Sequence, residues 1–155
     1  RARRNAERSG VAGKVRTERV NAMHDLRDRA QASGRYGLVI VDPPAFARSR
    51  REVEGAVRGY VELNRRALAL LTPGGVLVSA SCSHNVGRPE FIGALARAAL
   101  DLSREARIFR LAGAGPDHPV LASLPESATD AVALFRLGDE ALYRAKQAGK
   151  NRVSR

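Results

Sequence analysis

The chain has 155 residues, 44% of them hydrophobic, which suits one globular domain or part of a larger one. Its 27 lysines and arginines against 16 acids give a net charge of +11, which favours a polyanionic partner such as RNA or DNA over a merely solvated arginine-rich face. One cysteine excludes an intramolecular disulfide framework, no apolar run reaches the ~20 residues of a membrane span, and no signal peptide is visible, so a cytoplasmic protein is expected.

The first residue is Arg1, and "RARRNAERSGVAG" already has helical character, so the sequence reads as a fragment that enters mid-helix and stops at Gly10. "KVRTERVN" follows as a short strand candidate, and "HDLRDRAQASG" as a helical piece ending near Gly34. Leu38, Val39, Ile40 and Val41 form a continuous apolar run, as expected of a parallel strand covered on both faces. From Glu52 to Leu71, a helical stripe runs through Val53, Val57, Tyr60, Val61, Leu68 and Leu71 until "TPGG" terminates it. "VLVSASC" reads as a second buried strand. Pro89 suits the first turn of another helix, with Phe91, Leu95, Ala98 and Leu102 on one face. "ARIFRL" is a further strand candidate, followed by the turn-rich "AGAGPDHP".

Alternating strands and helices of this kind predict an α/β fold with a parallel sheet and crossover helices. From about Ser127 to Arg155 the pattern changes and is almost wholly helical, with Gly138 as a break and Gly149 as a stop.

In open α/β sheets the ligand site lies at the carboxyl ends of the strands, where Asp42 and Cys82 both fall. One crossover helix separates the two strands, so they are expected to be neighbours whose end residues share a pocket. Pro43 and Pro44 remove two N–H donors and stiffen the turn that presents Asp42, which fits either a plain strand-end turn or a rigid support for a flat base. Cys82 is open to a buried structural role or a nucleophilic one. Its place in "SCS" beside His84 makes that strand end polar, which favours a thiolate. His84 suits a nucleic-acid contact or a hydrogen-bonded loop residue, and Asp117-His118-Pro119 a pocket rim or a turn. Scattered histidines and one cysteine make no zinc pattern.

In order along the chain, "RYGLVIVDPPAFARSR", "RGYVELNRRALALLTPGGVLVSASCSHN" and "AGAGPDHPVLASLPES" resemble the class I S-adenosylmethionine-dependent methyltransferases that form 5-methylcytosine in large-subunit ribosomal RNA. The resemblance covers roughly residues 1 to 127 and implies a partial Rossmann-like catalytic domain lacking the first two strands of the family sheet, whose order is 3-2-1-4-5-7-6. It implies Cys82 as nucleophile and Asp42 as the acid at the target base, both catalytic. Asn21, Ala22, Asp42 and Pro43 would approach S-adenosylmethionine, and Pro44, Phe46, Arg48, His84 and His118 the RNA substrate. Amino-group methyltransferases place an aromatic directly after the two prolines, whereas here Ala45 stands there and Phe46 comes one later, which favours carbon methylation. The Gly-rich loop and the ribose-holding acid of the family are not in this sequence, so weak cofactor binding by the chain alone is expected.

Residues 128 to 155, "ATDAVALFRLGDEALYRAKQAGKNRV" and its flanks, are similar to the closing helix of GGDEF-type diguanylate cyclases, which implies phosphate contacts for Lys146 and Lys150. The GGDEF loop itself is absent. Two other readings therefore stand beside the methyltransferase: a non-catalytic basic RNA-binding remnant, and a cyclic-dinucleotide signalling fragment resting on the tail alone.

Overall fold

The computed structural model describes residues 1–113 and 131–137. Helix α1 (Ala2–Arg8) ends at Ser9, and Gly10 takes the left-handed φ of 67° that turns the chain away. The strand expected at "KVRTERVN" does not form. Val15 and Asn21 have extended dihedrals, but no described segment pairs with them, and a lone strand leaves its backbone donors and acceptors without partners. This stretch is held instead by an ion pair from Glu18 to Arg29 at 3.1 Å, and by Asn21, which caps α2 (Ala22–Gln31) by accepting from the Met23 amide at 3.0 Å and the His24 amide at 3.3 Å.

Strand β1 (Tyr36–Val41), helix α3 (Val53–Ala69), strand β2 (Leu71–Ser81), helix α4 (Arg88–Asp101) and strand β3 (Ala106–Ala112) follow in the expected alternation. Strand β4 (Ala131–Leu137) corrects the helical reading of the C-terminal segment. Its backbone lies between β2 and β3, antiparallel to both, giving the order β1-β2-β4-β3. That is the 4-5-7-6 half of the sheet order implied by the resemblance. A short apolar run is ambiguous between helix and strand, and here the open ladders of β2 and β3 decide it. Residues 128–130 and 138–155, with Lys146 and Lys150, lie outside the described residues.

Helix α3 stops two residues before the expected end, with Leu70 as its C-cap. Leu71 already pairs with Tyr36, and "TPGG" is a bulge inside β2 rather than a helix stop, because the register jumps from Tyr36↔Leu71 to Leu38↔Val76. Gly74 has φ 73°, and a Cβ on Gly75 would sit 2.9 Å from the Thr72 carbonyl oxygen, so only glycine fits the bulge.

Helices α3 and α4 pack together over one face of the sheet. Tyr60, Leu68, Phe91, Leu95, Leu71 and Leu77 are at most 1% exposed, each contributing about 1.5–3 kcal/mol by burial. The opposite face corrects the expectation that β1 is covered on both sides: Leu38 is 54% and Ile40 64% exposed, since no described element packs there. The loops after β1 and β2 also reach the core, through Ala47 and Val86.

Candidate active site

Strands β1 and β2 are parallel neighbours, with Val41 in register with Ser79, so Asp42 and Cys82 emerge at the same edge of the sheet. The Cys82 thiol donates to the backbone carbonyl of Pro43 at 3.6 Å. Both Asp42 and Cys82 are exposed. Asp42, Pro43, Pro44 and Phe46 line a cleft of about 590 Å³ whose far wall is Val20, Asn21, Ala22, Met23 and Leu26. The structure therefore brings together Asn21, Ala22, Asp42, Pro43, Pro44 and Phe46, whereas Cys82 is outside the cleft lining and meets the turn through the Pro43 carbonyl. The pocket expected to be shared by the two strand-end residues is thus lined by Asp42 without Cys82. Arg48 and His84 are exposed on the two loops outside the cleft lining, and His118 lies outside the described residues.

The two loops are locked by a buried hydroxyl cluster. Ser83 Oγ accepts from the Phe46 amide at 2.8 Å and, more weakly, from the Ala47 amide at 3.5 Å, which ties the β2 loop to the β1 loop. The Tyr60 hydroxyl lies 2.8 Å from both Ser81 Oγ and Ser83 Oγ, and Ser81 Oγ also accepts from the Ser83 amide at 3.3 Å. With two amides on its lone pairs, Ser83 is assigned as donor to Tyr60, and Tyr60 as donor to Ser81. All three residues are buried, and the serines flank Cys82 on both sides. The polar strand end therefore turns inward at Ser81 and Ser83 and leaves the thiol between them facing out. Tyr60 also stacks its ring at 4.7 Å on Phe46 and at 5.2 Å, edge-on, on Phe91.

Sequence reading placed Tyr60 only in a core stripe. Its hydroxyl partners sit some 20 residues away, and nothing in the helical periodicity announces them. The apolar wall from Val20 to Leu26 was likewise invisible as a wall, although Asn21 and Ala22 within it were singled out. Asn21 has a local duty as well, since its side-chain oxygen is committed to the α2 cap.

On the flank, Glu62 receives Arg65 at 2.8 and 2.9 Å and Arg66 at 2.5 Å, while Arg66 also donates to the Met23 carbonyl beside the cleft. Burial alone would raise the Glu62 carboxyl, but the bonds from Arg66 and Arg65 together hold it below its usual range. Among the described residues no cluster of His, Cys, Asp or Glu could hold a metal ion, and no helix is long and apolar enough to cross a membrane.

The sheet order, the crossover helices and the paired strand-end loops define a Rossmann-like α/β fold of the class I methyltransferase type, and solved structures agree. SMU.776, assigned as a methyltransferase and solved with SAH, superposes with a TM-score of 0.63 at 18% identity, covering 76% of this chain and 30% of that one. TrmN from Thermus thermophilus superposes with a TM-score of 0.54 at 21% identity, covering 88% of this chain and 32% of that one. By sequence, the chain is similar to ribosomal RNA large subunit methyltransferase I of Aeromonas hydrophila, at 37% identity over 126 residues, covering 81% of this chain and 32% of that protein. The namesake from Photobacterium profundum is 38% identical over 129 residues. The chain spans about a third of the length of these curated relatives. No protein-family model matches it.

Proposed function

We propose that this chain carries the base-handling half of an S-adenosylmethionine-dependent methyltransferase that forms 5-methylcytosine in large-subunit ribosomal RNA. The observation that supports this most is the Cys82 thiol resting on the Pro43 carbonyl, 3.6 Å away, which sets a nucleophile beside the turn that presents Asp42. The relatives' names support the RNA substrate, and the basic charge of the chain accords with it.

Carbon 5 of cytosine is a weak nucleophile, and the residues here supply what it lacks. The Cys82 thiolate adds its electron pair to carbon 6, and the former double-bond pair moves towards carbon 5. Asp42 accepts a hydrogen bond from the exocyclic amino group and holds the base edge-on over the proline turn. After carbon 5 is alkylated it loses its proton to a base, and the sulfur–carbon 6 bond then breaks to return the thiolate. S-adenosylmethionine, when bound, supplies the electrophilic methyl group.

The cleft fits one end of that cofactor. Val20, Ala22, Met23, Leu26 and Ile40 offer an apolar wall for a flat purine, and Asp42 and Pro43 lie in the same lining. Nothing in the described cleft lining supplies a Gly-rich loop for the cofactor's amino-acid end, so the chain alone is expected to hold it weakly. The test is covalent capture of Cys82 on RNA carrying a mechanism-based cytosine analogue, lost in Cys82→Ala. An RNA-binding chain with no capture would instead be the non-catalytic remnant.

A further inference from the structure

The arginines that follow the two site loops are placed against the preference of the fold. Arg48, Arg50 and Arg51 lie between the Asp42 turn and the start of α3, and Arg88 is the first residue of α4, just after the Cys82 loop. Helix N-terminal ends carry partial positive charge and favour acids, so cations there weaken the helices. Elsewhere, exposed arginines such as Arg27, Arg58 and Arg97 are ion-paired with Asp28, Glu54 and Asp101.

Among the described residues, none of the four rim arginines has an acid within ion-pair distance, and all four are exposed. The nearby acids are already engaged. Glu52 accepts from the Arg48 amide at 2.7 Å and the Ser49 amide at 3.1 Å, closing a capping box that also fixes the turn bearing Arg50 and Arg51. Glu54 is held by Arg58. A groove of about 490 Å³, lined by Phe46, Arg51, Arg58, Glu52 and Glu54 with Gly55 and Gly59, starts from the ring of Phe46, which also lines the Asp42 cleft; its two acids are the ones already engaged by backbone amides and by Arg58. Phe46 therefore stands between a cleft fit for a flat ring and a groove in which Arg51 is the arginine with no acid in ion-pair contact among the described residues.

We propose that Arg48, Arg50, Arg51 and Arg88 form a rim that grips the phosphates of the RNA strand on either side of the base delivered to Asp42 and Cys82. This rests on the RNA substrate proposed above and adds where the strand lies. Exposed cations following both site loops, with a groove running from Phe46 past Arg51, fit a chain of phosphates better than one anionic small molecule.

Fluorescence anisotropy of this chain with a short single-stranded RNA, over a range of salt concentrations, tests it. Each phosphate contact contributes about 0.7 to the log–log salt slope on single strands, so R48Q/R50Q/R51Q should flatten the slope by about 2 and weaken binding about 100-fold at 0.1 M salt. Adding Arg88→Gln should flatten it by about 0.7 more. The variant R48K/R50K/R51K should keep the slope, since lysine still meets phosphate as a point charge. As a charge-matched control, R27Q/R97Q/R107Q removes as many cations from sites away from the loops and should retain most of the affinity. Binding by the glutamine variant like that of the unmodified chain, or an equal loss in the control, overturns the rim while leaving the RNA substrate standing. An unmodified chain that binds no RNA overturns the proposed function and the rim with it.

Discussion

The Tyr60 hydroxyl sits 2.8 Å from Ser83 Oγ, and through that contact a helix holds the two strand-end loops in register. Ser83 carries the bond onward to the Phe46 amide, so the turn that begins with Asp42 and the loop that begins with Cys82 share one buried anchor. Removing the hydroxyl should therefore disturb chemistry as well as stability.

Tyr60→Phe keeps the ring against Phe46 and Phe91 but strands Ser83 as a buried donor without a partner. Leaving such a group unsatisfied costs about 1–3 kcal/mol. Urea denaturation should show a loss in that range. The rate of covalent capture at Cys82 should fall about 10-fold or more among molecules that remain folded, since small displacements of a nucleophile are costly. Unchanged capture would separate the cluster from catalysis.

Gly59 offers a milder probe of the same region. A Cβ there would lie 3.1 Å from Phe46 Cδ2, while alanine is favoured over glycine in a helix by about 1 kcal/mol. Gly59→Ala should thus leave stability within about 1 kcal/mol of the parent while shifting the Phe46 ring, which should be read as altered RNA affinity.

Acid should loosen the flank of the cleft. The Glu62 carboxyl is held below its usual range in the folded chain, so its contribution is fully present above the unfolded value and is lost as pH falls through the folded one. Stability measured from neutral pH downward should drop below about pH 4.5, the ordinary value for this group, and Glu62→Gln should remove part of that drop. A variant whose acid profile matches the parent would show that the Arg65–Glu62–Arg66 cluster adds nothing.

Calorimetry of the chain with S-adenosylmethionine should show weak binding, because the described cleft offers an apolar wall and the Asp42 turn but no cradle for the amino-acid end. Tight binding would refute this expectation.

The sequence placed the two strand ends side by side where its signals were local. Leu38 to Val41 and Val76 to Ser81 are uninterrupted enough to be strands, and the residue after each strand is then placed by the topology of the sheet. It misled where structure depends on distant partners. Val15 to Val20 has strand composition but no ladder to join among the described residues, and Ala131 to Leu137 has a helical pattern but lies between two strands with open edges. The same reason hid the hydroxyl of Tyr60, whose value lies in serines on another element. Asn21 shows a further limit: its assignment to a ligand did not foresee that its oxygen caps α2.

The central claim is that Cys82 is a nucleophile aimed at a cytosine held by Asp42. The direct measurement is intact-mass and peptide mapping of the chain after incubation with a ribosomal RNA segment carrying 5-azacytidine, whose carbon 6 accepts a thiolate before any methyl transfer. A covalent RNA adduct mapped to Cys82, absent in Cys82→Ala and weakened in Asp42→Asn, is the predicted result. RNA bound by the chain without any adduct at Cys82 would contradict it.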